Sequence, residues 1–413
     1  VATEIVAGLR VVGLLSGTSI DGIDVAVAEV RAEGAELELT PLGHLELEYP
    51  DQVRAELLGA LPPHPCSAEQ LAQLDTRVGQ AFAEAARAGV ELAGGRADLV
   101  ASLGQTVYHW VEDGRALGTL QLGQPAWIAE RTGLPVVADL RARDIAAGGH
   151  GAPLASTLDA LWLAGLAADT GRPAAALNIG GIANITVVAP DGDVLAYDTG
   201  PGNALLDLAA AEATGGAWRS DVDGALAARG RPHGDLLAHL LADPYYRMPP
   251  PKSTGKEYFH AGYLATATAG RGPVGAEDLL ATLTELTAVT IAQACGRHGA
   301  ATVVASGGGV ENPALMGALR RNLPSARLRT SDELGLPRAA KEAYLAALLG
   351  WLTWNGIPAN VPSATGARGR RLLGSITPGA GPLTLPAPHR TTVSRLRVAG
   401  RPDNTVGDTH ESS

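Results

Sequence analysis

One order of elements is written twice along this 413-residue chain: three strands with a glycine-rich turn after the first, then helix, strand, helix, strand. In the first copy "RVVGLLS" ends at the turn "SGTSIDG", and "IDVAVAEV" and "ELELTPLGHLELEY" supply the next two strands. Ser67 and Gln70 then form a capping box ahead of Leu71, Leu74, Val78 and Phe82 at helical spacing, which predicts a helix over 67–93. "ADLVAS", "QPAWIAERTG" and "LPVVADL" read as strand, glycine-stopped helix and strand. The second copy starts at "PAAALNIGGIANITVVAPDGDVLAYDTG" and runs through a helical region at about 276–296 to "ATVVAS", "NPALMGALRRN", "ARLRT" and "RAAKEAYLAALLGWLTWNG". A chain of this length exceeds one ordinary core. The expected fold is therefore α/β, with two similar lobes, each a mixed sheet flanked by helices, and a cleft between them. The boundaries read as 10–140 for the first lobe, with about 360–378 as a candidate completion of it, and 141–358 for the second. From about 380 to 413 the chain is rich in Pro, Arg, Ser and Thr without periodicity, and a disordered tail is expected.

Composition removes several function classes. A formal net charge of -11 argues against nucleic acid or an anionic membrane as partner, since both demand clustered basic residues. No apolar run reads as a membrane span and no signal-peptide layout opens the chain, so a cytoplasmic protein is expected. The two cysteines, Cys66 and Cys295, are far apart and in no C-x-x-C pair, which sets aside disulfide scaffolds and zinc sites. Lysine is nearly absent: Lys252, Lys256 and Lys341 are the whole set, and two of them fall in "PPKSTGKEYF", residues 250–259.

Turns without bulky side chains let backbone N–H groups approach phosphate oxygens closely. "SGTSIDG" adds the hydroxyls of Ser16, Thr18 and Ser19, and with "NIGGIAN" (Gly180, Gly181, Asn184) across a cleft it would grip a polyphosphate. Asp21 and Asp24 are placed to hold waters around Mg²⁺, and Asp198, in the acidic turn "DTGPGN", is the second candidate metal carboxylate. Gly307, Gly308 and Gly309 follow a buried-looking strand, where flat backbone suits a nucleotide base. An ordinary tight turn remains the alternative for each. The rival signatures fail: there is no Walker A loop, no G-x-G-x-x-G between strand and helix, and no G-x-S-x-G elbow.

From about residue 11 to 378 the chain resembles the anhydro-N-acetylmuramic acid kinases, of the superfamily shared by actin, hexokinase and Hsp70. The resemblance rests on "SGTSIDGID", "GQTVYH", "ADLRARDIAAGGHGAPL", "LNIGGIANIT", "DTGPGN", "PPKSTGKEYF", "SGGGVENP" and "KEA" with "TGA" near 365. It implies two actin-like (ribonuclease H-like) lobes that close on ATP with Mg²⁺. It also implies conversion of 1,6-anhydro-N-acetylmuramic acid to N-acetylmuramic acid 6-phosphate during recycling of cell-wall sugars. On that pattern Gly17, Thr18, Ser19, Ile20, Asp21, Gly22, Ile23 and Asp24 form the nucleotide loop, Asp144 is the general base and Glu342 the acidic residue near the sugar. Leu103 and His150 depart from the family's usual histidine and glutamine. An anhydro sugar has no free hydroxyl at O6, so water must open the bridge at C1 before O6 takes the phosphoryl group, and one carboxylate activating water suffices. For Asp144 the residues alone leave open a structural aspartate paired with Arg141 and Arg143. "KSTGKEYF" reads as a solvated loop, with phosphate or the sugar's carboxylate as alternative partners for its lysines. The expected partner is a small-molecule sugar, and a homodimer is compatible with the sequence. Another sugar kinase or phosphatase of the superfamily, and a non-enzymatic ATP-driven switch, stay open as rival functions.

Overall fold

In the computed structural model, which describes residues 5–270 and 272–400, the repeat becomes two mixed sheets with one strand order. The first half runs β1 (Ile5–Ser16), β2 (Gly22–Glu33), β3 (Glu36–Glu48), α1 (Asp51–Ala60), α2 (Ala68–Leu92), β4 (Leu99–Glu112), β5 (Arg115–Leu122), α3 (Pro125–Thr132) and β6 (Val136–Ala138). Two helices, α4 (Ala142–Ala146) and α5 (Ala155–Thr170), lead into the second half. There β7 (Ala174–Ile179), β8 (Ile182–Val188), β9 (Val194–Pro201), α6 (Ala204–Ala213), α7 (Gly234–Leu241), α8 (Ala261–Thr268) and α9 (Ala276–Arg297) precede β10 (Thr302–Ser306), α10 (Pro313–Asn322) and β11 (Arg327–Thr330). The chain closes with α11 (Lys341–Trp354), α12 (Pro362–Thr365), β12 (Ser375–Thr377) and β13 (Arg395–Val398). One sheet has the order β12-β6-β4-β1-β2-β3-β13, with β5 paired to β4, and the other β11-β10-β7-β8-β9. In both, the first two pairings are antiparallel hairpins and the crossover strands add in parallel to the first strand.

Apolar residues on alternate positions of the strands give each sheet two buried faces. The outer face of the first sheet (Val12, Leu14, Val25, Val27, Val100) packs on α2 and α3 through Val78, Phe82 and Ile128. The outer face of the second (Ala175, Leu177, Ile185, Val303) packs on α9 and α10. Between the sheets a single core joins Val11, Ala26 and Ala101 of one to Ala174, Ala176 and Val304 of the other through α5 and α11. The Ser67–Gln70 capping box that starts α2 forms with both reciprocal hydrogen bonds.

One assignment is added and three readings change. The segment after "ADLVAS", which carries no assignment above, is a long β4–β5 hairpin turned at Asp113-Gly114, both at positive φ. Helix α11, which the sequence places with the second lobe, lies against β1, β2 and β4 of the first sheet. Residues 380–400 are not a disordered tail: β13 pairs in parallel with the edge strand β3, Val393 and Leu396 are buried, and the His389 Nε2 donates to Gly34 O at 3.0 Å. The rest of that expected tail, 401–413, lies outside the described residues. Finally, α9 is long and apolar enough to cross a membrane, but 67% of that stretch is buried in the second core, which accounts for its hydropathy.

Candidate functional site

Each sheet carries its first hairpin turn at the end of its central strand. In the first sheet the Ser16 Oγ lies 2.8 Å from Gly22 O and 2.6 Å from Gln105 Oε1, its single proton shared between these two acceptors, and Gln105 Nε2 donates to Gly17 O (3.2 Å). Gln105, fully buried in "GQTVYH", thus braces the turn from the neighbouring strand. Gly22 and Ile23 are buried at the start of β2. Ile20, also buried, sits at φ 56°, a conformation that strains a β-branched residue. A side-chain carbon on Gly17 would meet only Ser19 Oγ, at 3.7 Å, so the space above Gly17, Thr18 and Ser19 is open to a ligand. Asp21 points away from it, into a surface ion pair with Arg54 (3.3 Å), whose Nε also holds Ile20 O.

The second sheet gathers three turns. The N–H groups of Gly202 and Asn203 donate to Gly181 O and Gly180 O at 2.9 and 2.8 Å, so the "DTGPGN" turn is tied to the β7–β8 turn. The 307–309 loop closes over Ile179, with Gly309 against Asn203 and Gly308 facing open space. Ser306, Asn178, Asn184 and Asp198 stand in register across β10, β7, β8 and β9 and form one polar row. Over these turns lies "PPKSTGKEYF", exposed at Ser253 and from Lys256 to Tyr258 as a solvated loop would be, but pinned to the sheet at several points. The Asp198 carboxylate accepts from Ser253 Oγ and Thr254 N, both at 2.9 Å, and Phe259 is fully buried. Lys252 is buried, donating to Tyr245 O at 2.8 Å. Lys256 lies along Gly181, where an added side-chain carbon would meet its Cε at 2.7 Å and displace the lysine. Burial holds Asp198 above the ordinary carboxylate range against those two donors, and pushes nearby Asp207 up to about 6 against the pull of Lys256.

A charged corner lies on the α11 side of the first sheet. Asp24 stands directly opposite Glu46 on β3. Burial, then Glu46, then Glu342 at the first turn of α11 push Asp24 up to about 6. Arg141 faces the same Glu342, and burial lowers its pKa. Burial, Arg141 and His150 together lower His109. Behind them Asp144 is fully buried in α4, and neither arginine pairs with it. Its Oδ2 accepts from Gly151 N (2.8 Å), and its Oδ1 from Asn360 Nδ2 (2.7 Å) and Thr365 Oγ1 (2.8 Å). Any side chain at Gly149 would collide with that Oδ2. Leu103 is core packing, 4% exposed, and His150 is exposed, its N–H bound to Thr365 O. Among the described residues no three His, Cys, Asp or Glu side chains form a metal-holding group. Asp21 and Asp198, the metal candidates, lie on different sheets, and both already have partners.

The residues alone point neither to Glu46, Gln105 nor Asn360; they give Arg141 only as a partner of Asp144 and Lys256 only as one of two lysines in a loop. Gln105 and Lys256 stood inside quoted motifs; nothing local marks Glu46 within "ELELE".

Duplicated mixed sheets, each with a glycine hairpin at the head of its central strand, define the class: a two-lobed α/β protein of the actin-like, ribonuclease H-like architecture. Residues 9–379 match the family described as anhydro-N-acetylmuramic acid kinase. The chain is 56% identical over 395 residues to the anhydro-N-acetylmuramic acid kinase of Streptomyces coelicolor, covering 95% of this chain and 100% of that one. It is 59% identical over 379 residues to the Streptomyces avermitilis protein of the same name (92% and 97% covered) and 51% over 380 residues to that of Rhodococcus erythropolis (90% and 95%). The chain belongs to the anhydro-N-acetylmuramic acid kinase family. Membership makes it an enzyme, an ATP-using kinase of cell-wall sugar recycling.

Proposed function

We propose that the chain opens 1,6-anhydro-N-acetylmuramic acid with water and transfers the γ-phosphoryl group of ATP to the released O6, giving N-acetylmuramic acid 6-phosphate. The glycine turns at Gly17–Gly22, Gly180–Gly181 and Gly307–Gly309 hold the nucleotide, and the corner of Asp24, Glu46, Glu342, Arg141 and Asp144 holds the sugar. Mg²⁺ arriving with ATP would neutralise phosphate charge, held mainly by the phosphates and its own waters with a single carboxylate such as Asp24 beside them. The enzyme works in the cytoplasm, a reading supported by its two free cysteines.

One observation carries the chemistry. Three donors fix the orientation of the Asp144 carboxylate and still leave it an acceptor position, because a carboxylate offers about four lone-pair sites. Gly149 keeps any side chain off Oδ2. Asp144 therefore takes the proton of the water that attacks C1, and Glu342 contacts the sugar from the opposite side of the corner. A second reading, favoured by its partial exposure and a pKa near 6, makes Asp24 the base and Asp144 the anchor of the loop. Asp144→Asn and Asp24→Asn separate the two. The base variant should lose about 10²- to 10⁴-fold in kcat while calorimetry still finds both ligands bound. Near-normal turnover in Asp144→Asn would reject it as the water-activating base.

A further inference from the structure

Arg141 is unlike the other arginines that the structure pairs. Arg54, Arg77, Arg87, Arg131, Arg229 and Arg338 lie in partly exposed ion pairs. Arg141 is mostly buried, and among the described residues no carboxylate lies within 4.0 Å of it. Its Nη1 donates to Gly151 O at 2.8 Å, while its Nε is buried with no hydrogen-bond partner; the Nε of Arg338 is also buried without one, but that guanidinium is paired with Asp332 at 3.1 Å. A guanidinium cannot escape burial by losing its proton, so an unpaired one in the interior calls for an anion. Its planar fork of donors matches a carboxylate.

Arg141 caps α4, one turn before Asp144, and Gly151 joins the two by giving its N–H to Asp144 and its carbonyl to Arg141. Glu342, the carboxylate whose charge Arg141 senses, belongs to the corner proposed to hold the sugar. The glycine turns that hold the nucleotide phosphates are built from other segments. N-acetylmuramic acid carries one ionised group, the carboxylate of its lactyl ether; its hydroxyl and acetamido groups are neutral. We propose that Arg141 binds this lactyl carboxylate and is the specificity-determining residue that selects the acid sugar. The inference rests on the charged corner being the sugar site. Anchored there, the lactyl group sets the orientation of C1 relative to Asp144.

The test compares three probes with ATP: 1,6-anhydro-N-acetylmuramic acid, its lactyl methyl ester, and 1,6-anhydro-N-acetylglucosamine, which lacks the lactyl group. Wild type should prefer the acid by about 100-fold in kcat/KM. Arg141→Met should bring the three within a few-fold of one another, chiefly by losing the acid, with ATP affinity unchanged, and Arg141→Lys should restore part of the preference. An equal loss on all three sugars would show that Arg141 only supports the Gly151 loop and would overturn the proposal. So would weakened ATP binding, or a wild-type enzyme indifferent to the lactyl charge. Should Arg141→Met not fold, the wild-type and Arg141→Lys preferences decide the matter. A wild type inactive on the acid would instead reject the proposed function itself.

Discussion

The three lysines of this arginine-rich chain occupy three different settings. Lys252 is a structural cation, buried with its Nζ 4.3 Å from the centre of the Tyr245 ring. Lys341 is paired with Asp159 at 2.6 Å, both buried, and the pair ties α11 to α5 beside Glu342. Removing one partner strands the other charge, so Asp159→Ala should destabilise the fold by about 3–5 kcal/mol in denaturant titration. A loss below about 1 kcal/mol would mean the pair is dispensable. Asp24 bears on pH. Its folded pKa of about 6 exceeds the ordinary value, so the native state binds more protons than the unfolded chain between about pH 4 and 6. Its contribution to stability is thus fully present below about pH 4 and lost as pH rises through 6. Asp24→Asn should gain on the order of 1 kcal/mol at pH 7, reduced by solvent screening at its exposed side, and nothing at pH 4. Equal gains at both pH values would contradict the shift.

At the scale of elements, local signals were legible and non-local partners were not. The capping box of α2, the αL glycine ending α3 and both glycine hairpins follow from residues close in sequence. The β4–β5 hairpin shows in the sequence only through its Asp113-Gly114 turn, since the polar residues of "GQTVYH" interrupt the apolar alternation of a strand. Periodicity gave α11 its helical identity but could not say which sheet it would cover, since α11 is buried nearly all round. The strap at 250–259 shows the same limit: its sequence is polar, and only tertiary pairing with Asp198 and Gly181 reveals that it is held. Lys256 lies along Gly181, in the turn proposed to hold phosphate. Lys256→Met should weaken ATP binding by about 10-fold while leaving AMP and the sugar unaffected, as calorimetry can show, because only the outer phosphates would lose a cation. Unchanged ATP affinity would return the lysine to solvent.

The whole molecule is a stack of helix, sheet, helix, sheet and helix layers, with α5 and α11 shared between the lobes. The duplication was readable because the strand order repeats in sequence. The site was readable only in parts. The turns proposed to hold the nucleotide are contiguous motifs, but two of the hydrogen bonds that hold Asp144 come from Asn360 and Thr365, 216 and 221 residues away. Such distances leave no local pattern, and resemblance rather than residue spacing singled out Asp144. The central claim is that one site both breaks the anhydro bridge with water and phosphorylates the oxygen it frees. The direct measurement supplies ATP and 1,6-anhydro-N-acetylmuramic acid in ¹⁸O-labelled water and locates the label and the phosphate in the product. One labelled oxygen at C1 and phosphate at O6, with no turnover of the anhydro sugar when ATP is withheld, is the expected result. Phosphate on a sugar whose bridge is intact, or faster use of the already opened N-acetylmuramic acid, would contradict it.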